Sequence, residues 1–230
     1  MTATGTGRPA MPAASRSAPD GRGGRRRTAR GERTRRRLLD AAERIFAERG
    51  YHDASIVKIT EPAEVGQGTF YLYFRSKQEI FEELVDDLNR RVRHAMAAAV
   101  EGMSHRGDIE RAGLLGFLRF TAEHPALYSI IRQSDLVAPQ STRRHYESIA
   151  RPYAAGLRDA MAQGVVLDAD PEVLAYALMG IGEMIGRRWV LWEGVRRAPD
   201  DVVEEALAFV NRGLGIAPPP SVSEAGRRTR

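Results

Sequence analysis

The chain has 230 residues, 43% of them hydrophobic, a net charge of +5 and no cysteine. That composition can supply a hydrophobic core, and it excludes a wholly unfolded chain, disulfide bridges, thiol catalysis and zinc sites built on Cys. No stretch reaches the roughly 20 uncharged apolar residues that span a bilayer, and no apolar signal core follows the N-terminal arginines, so a cytoplasmic location is expected.

Charge is distributed unevenly. Residues 1–37 hold eleven Arg against Asp20 and Glu32, a local charge of +9, which leaves −4 for residues 38–230. Residues 1–30 are Gly, Pro, Ala, Ser, Thr and Arg without apolar periodicity, so ordering them would cost entropy that no buried surface offsets. They are expected to be a disordered tail, whose Arg25, Arg26, Arg27 and Arg30 attract nucleic-acid phosphate without reading sequence. By the same reasoning Pro218, Pro219 and Pro220 open a second disordered tail over residues 216–230.

Between the tails every pattern is helical. The first helix is predicted from about Arg33 to Glu48, with Leu38, Ala42, Ile45 and Phe46 at helical spacing and Gly50 to stop it. Ser55 is placed to cap a short second helix whose inner face carries Ile56 and Ile59. A third covers about Gln67 to Tyr73. Ser76 and Glu79 then have capping-box spacing, opening a long fourth helix along Ile80, Phe81, Leu84, Leu88 and Val92. Further helices are broken near Gly107, at His124–Pro125, at Pro139, at Gly164 and at Pro199. The last two blocks are Pro171 to Trp192 and Asp200 to Leu214.

Three short helices with a tight turn between the second and third are the ingredients of a helix-turn-helix, whose third helix enters the major groove. Phe70 and Phe74, four residues apart, face inward onto Ile45, Phe46 and Ile59. Gln67, Thr69, Tyr71 and Tyr73 are left near the outer surface. Gln reads adenine in bidentate fashion, Thr offers a hydroxyl and a methyl, and tyrosine hydroxyls hold phosphates. Gly68 permits close backbone approach, and Lys77 brings a cation to the first turn of the fourth helix, beside amides that favour an anion.

The run from Ile59 to Phe74, with Gly68-Thr69-Phe70-Tyr71-Leu72-Tyr73-Phe74 at its centre and Ser76-Lys77 behind it, resembles the N-terminal signature of the TetR family of transcriptional regulators. The resemblance extends back to Leu38 and covers about fifty residues; the remainder is similar only in length and helicity. It implies an all-α fold: an N-terminal helix-turn-helix DNA-binding domain (31–76) joined by a long helix to a larger helical ligand-binding and dimerisation domain (77–215). It also implies DNA contacts from Gln67, Gly68, Thr69, Tyr71, Tyr73 and Lys77, a homodimer on a palindromic operator, and release by a small effector. No cofactor or metal is implied. Two departures stand out. Pro62 falls where the second helix should continue, so that helix kinks or ends early, and Glu64 takes a turn position suited to glycine, where a side chain costs about 1 kcal/mol.

For the effector pocket the middle-helix aromatics are the candidates: Phe117, Phe120, Tyr128, Tyr146, Tyr153, Tyr176 and Trp189. Glu183 and Arg187, four apart, are expected to pair within their helix. Gly180, Gly182 and Gly186 suggest close packing against a partner helix, and Val203, Ala206, Leu207 and Val210 form a stripe that suits either a subunit interface or the intrachain core. An enzyme finds no support, since no phosphate loop, nucleophile elbow or metal spacing is present. A nonspecific nucleic-acid binder driven by the arginine tail, or a helical interaction protein, are the alternatives to a regulator.

Overall fold

The computed structural model describes residues 29–216, and all regular structure in that span is helical. Arg25, Arg26 and Arg27 of the expected arm, and residues 217–230, lie outside the described residues; Arg30 is exposed in the first turn of the first helix. That helix, α1, runs Ala29–Asp53, starting four residues before the sequence expectation. Gly50 does not stop it. With φ 75° and ψ 166°, Gly50 breaks the helix, which resumes for one more turn; only glycine adopts that backbone without a Cβ clash.

The next two helices are short. α2 (Ile56–Thr60) is capped by the Ser55 hydroxyl, which accepts from the Lys58 amide at 3.3 Å, and it ends just before Pro62, as the missing proline amide requires. α3 (Gln67–Tyr71) is two residues shorter than expected. α4 (Lys77–Ala99) starts at Ser76, whose hydroxyl accepts from the Glu79 amide. Glu79 returns the interaction one residue further back, accepting from the Arg75 amide, and this bond holds its carboxyl below the usual carboxylate range.

α5 (Arg106–Glu123) and α6 (Pro125–Val137) meet at His124. α7 (Pro139–Ala162) and α8 (Pro171–Gly186) also open on proline, whose absent amide would have had no helical partner there. A π-helical turn, Arg187–Leu191, extends α8, and α9 (Asp200–Leu214) closes the described chain.

The main core joins Leu38, Ala42 and Phe46 of α1 to Ile59, Phe70 and Phe74 around α3, then to Ile80, Phe81, Leu84, Val85, Leu88 and Val92 along α4. It runs on without a break into Phe120, Leu127, Ile130 and Ile131 of α5 and α6. Two smaller clusters hold the far end, one among α7, α8 and the tip of α9, the other where α9 packs on α5 and the π turn. α3 therefore shares one apolar core with the first two turns of α4, and α1 and α4 both reach the C-terminal body.

Two expectations for the body are made specific. Gly182 and Gly186 do allow close packing, but within the chain: a Cβ on Gly186 would sit 3.4 Å from Phe117 and Leu118 of α5. Of the three, Gly180 alone faces open space. The α9 stripe likewise divides, with Val203, Leu207 and Val210 buried inside the subunit, while Ala206 joins Val202 and Phe209 on the outer side.

Candidate nucleic-acid interface

The turn between α2 and α3 is built around its two unusual residues. Val65 N–H donates to Thr60 O at 3.1 Å and Glu64 N–H to Glu61 O at 2.9 Å, the paired bonds of a Schellman helix end. Such an ending needs a left-handed residue, and Glu64 supplies it at φ 51°. A neighbouring helix compensates for the strain. Arg37 of α1 donates to the carbonyls of Ala63 and Glu64 and to the Glu64 carboxylate. One guanidinium thus caps carbonyls that the end of α2 leaves unpaired.

With the turn set, α3 presents its residues by the 3.6 period. Phe70 and Phe74 are fully buried, and their rings lie 5.6 Å apart. Gln67, Gly68 and Tyr71 are exposed; Thr69 and Tyr73 are half-buried, with Tyr73 packed against the core. Nothing lies within 4 Å of a Cβ placed on Gly68, so its backbone stands open to a large surface. The sequence reading passed over Leu72, which is 81% exposed. Its signal was available: two residues from both Phe70 and Phe74, Leu72 sits on the opposite side of the helix from the core.

Lys77 is oriented differently from the sequence expectation. Its ammonium donates to Tyr51 O at 2.7 Å, Ala54 O at 2.8 Å and His52 O at 3.3 Å, and lies 4.4 Å from the Tyr51 ring centre. These carbonyls are the C-terminal end of α1. The basic side chain at the α2–α3 turn is instead Arg37 of α1, and Arg33 and Arg30 precede it on α1 at spacings of four and three.

In the body, the structure brings together two of the seven aromatics. Tyr146 donates to the Glu183 carboxylate at 3.3 Å, and Tyr128 bonds to the same group; burial, with the carboxylate second, raises both phenols. Glu183 does not pair with Arg187, because the two tyrosines occupy it. The Arg187 guanidinium lies over the rings of Tyr128 and Trp192 at 5.9 and 5.4 Å. Phe117 packs under Gly182 and Gly186, and the buried Phe120 ring contacts His124 at a tilt of 50° with centroids 4.4 Å apart. Tyr153 bonds to the buried Glu110, which also pairs with Arg106. Tyr176 is exposed on α8. Trp189 lines an open groove of about 430 Å³ between α8 and α9, with Ile181, Ile185, Val202, Ala206 and Phe209.

Residues 38–84 match the family model described as bacterial regulatory proteins, tetR family. Over 64 residues the chain is 48% identical to the uncharacterized HTH-type transcriptional regulator YdgC of Bacillus subtilis, an alignment covering 28% of this chain and 33% of that protein. The likeness to the HTH-type transcriptional activator FasR of Mycolicibacterium smegmatis is lower, 28%, but covers 85% of this chain and 90% of the relative. Among solved structures, a TetR-like transcriptional regulator from Rhodococcus sp. RHA1 superposes with a TM-score of 0.61 at 27% identity, covering 79% of this chain and 96% of that one.

Proposed function

We propose that the chain is a DNA-binding transcriptional regulator of the TetR family, which its N-terminal match and full-length likenesses support, and that it is a ligand-responsive repressor which binds a palindromic operator as a homodimer. The observation that carries the reading is the stapled turn before α3, which holds Gln67, Gly68, Thr69, Tyr71 and Leu72 clear of a rigid apolar core. In this reading Gln67 and Thr69 address base edges, Leu72 covers a thymine methyl, and Tyr71 and Tyr73 bond to phosphates. Lys77 serves that surface through its hold on α1 and the charge it adds at the start of α4. Arg30, with Arg25, Arg26 and Arg27, adds salt-dependent affinity that is indifferent to sequence.

Dimerisation is assigned to α8 and α9. Phe209 is 62% exposed there, and the apolar groove it lines with Ile181, Ile185 and Trp189 is costly to leave in water. The effector is assigned to the body between α5, α6, α7 and α8, with Tyr128, Tyr146 and Phe117 foremost among the seven aromatics. Binding there changes the separation of the two reading helices. The proposed domain boundaries are residues 31–76 for DNA reading and 77–215 for ligand and dimer, in the cytoplasm.

Selection of bound duplexes from a random pool tests the proposal. Two inverted half-sites, centred about one helical turn (34–36 Å) apart or a multiple of it, are expected; a single asymmetric site overturns the dimer reading. Activation is the second reading, favoured by the similarity to an activator along 85% of the chain. A promoter reporter separates the two, because removing the protein raises transcription under repression and lowers it under activation.

A further inference from the structure

Between the C-terminal body and the reading helices, one side chain makes a contact that packing alone does not explain. Gln133, on α6, reaches the break in α1 at Gly50. Its Oε1 accepts from Tyr51 N–H at 2.7 Å, while its Nε2 donates to Phe46 O at 3.2 Å and to Ser129 Oγ at 3.0 Å. Gly50 has left helical geometry, so a backbone donor and a backbone acceptor at the break look outward for partners. A single primary amide from another helix satisfies both. A Cβ on Gly50 would come within 3.8 Å of Gln133 Oε1, so the break and the amide fit one another.

The same short segment is held from its other side by the start of α4. Tyr51 gives its amide to Gln133 and its carbonyl to Lys77 Nζ, and Lys77 also binds the carbonyls of His52 and Ala54. The Tyr51 ring packs on Phe46 and Phe81 at centroid distances of 5.8 and 5.0 Å. Lys77 lies six residues after the end of α3. A displacement of α6 is therefore delivered to Tyr51 by a hydrogen bond and passed from Tyr51 to the residues that follow the reading helix.

We infer that Gln133 is the positioning residue that couples the C-terminal body to the DNA-reading unit, by clipping α6 to the broken end of α1 and, through Tyr51, to Lys77. It touches no DNA in this role. The inference rests on the DNA binding proposed above and does not depend on the effector or on the dimer. Because coupling between two sites is reciprocal, DNA itself serves as the probe: occupying the reading helix must change the order of α6.

The test uses the full chain and a duplex selected from a random pool by the unmodified protein. Amide hydrogen exchange is followed over residues 46–54 and 125–137 with and without that duplex. In the unmodified protein the duplex is expected to slow exchange in both segments. Gln133→Met keeps the side-chain length and removes both backbone bonds; with it, α6 should lose its response while α3 keeps its own, and DNA affinity should change by about 5-fold or more, the lower end for coupled sites. Gln133→Glu keeps the acceptor for Tyr51 N–H and should restore the α6 response in part, which a purely packing role would not do. An unmodified protein whose α6 ignores the duplex overturns the inference. So does a Gln133→Met variant that melts earlier yet shows the full α6 response.

Discussion

Glu64 shows how one strained residue can be kept. At φ 51° a side chain costs about 1 kcal/mol relative to glycine, and the exposed ion pair with Arg37 returns at most about that much. The bonds from Arg37 to the carbonyls of Ala63 and Glu64 do not depend on the Glu64 side chain. Glu64→Gly is therefore expected to leave stability unchanged or raise it by up to about 1 kcal/mol, whereas Arg37→Ala strips all three bonds and should cost about 1–2 kcal/mol. Thermal unfolding of the two variants checks this, and a larger loss for Glu64→Gly than for Arg37→Ala would show that the carboxylate holds the turn. Strain at Glu64 was legible beforehand, since the position lies in a turn between two patterned helices. Its remedy was not: Arg37 is 27 residues away, and nothing in an arginine-rich run says which guanidinium will face a turn.

At the scale of an element, α7 carries a titratable group where it packs on α4. Its Ser148 bonds to Asn89 of α4 at 2.9 Å, and His145, one turn before, is buried with its Nδ1 unpaired. Burial alone pushes the imidazole down to about 4. The folded state favours the neutral ring, so the unfolded chain takes up a proton first as the pH drops. Stability from this group is whole above about pH 6.5, the ordinary histidine value, and declines as the pH falls toward about 4, by an amount on the order of 3 kcal/mol. Chemical denaturation from pH 7 to 4.5 should show that slope, and His145→Gln should flatten it; an unchanged slope would place the protons elsewhere. His124 titrates in the same direction, because burial and then Arg91, whose guanidinium lies 2.9 Å from its Nδ1, disfavour a second positive charge. The caps and breaks around these elements were readable locally. The expected Glu183–Arg187 pair failed, although its spacing is right, because Tyr128 and Tyr146 arrive from other helices and compete for the carboxylate.

For the molecule as a whole, the outer faces of α8 and α9 govern assembly under the proposed dimer. Phe209→Glu puts a charge into the groove without touching the buried Val203, Leu207 and Val210. It is expected to weaken self-association by about 2 kcal/mol or more, as loss of a central aromatic contact does, and to lower DNA affinity with it. Sedimentation equilibrium reads the first effect, and a variant that associates like the unmodified chain would move the interface elsewhere. By itself the amino-acid sequence determined the all-helical class, the short helix α3 from Gln67 onward, its buried Phe70 and Phe74, and the caps at Ser55 and Ser76. Each of these follows from spacings within one or two turns, where backbone geometry alone decides which side chains meet. Tertiary structure decided which arginine staples the turn, where Lys77 points, that Gly182 and Gly186 pack within the subunit, and that Gln133 meets Tyr51 from 82 residues away. Long polar side chains have many reachable partners, and only the relative placement of whole helices selects among them.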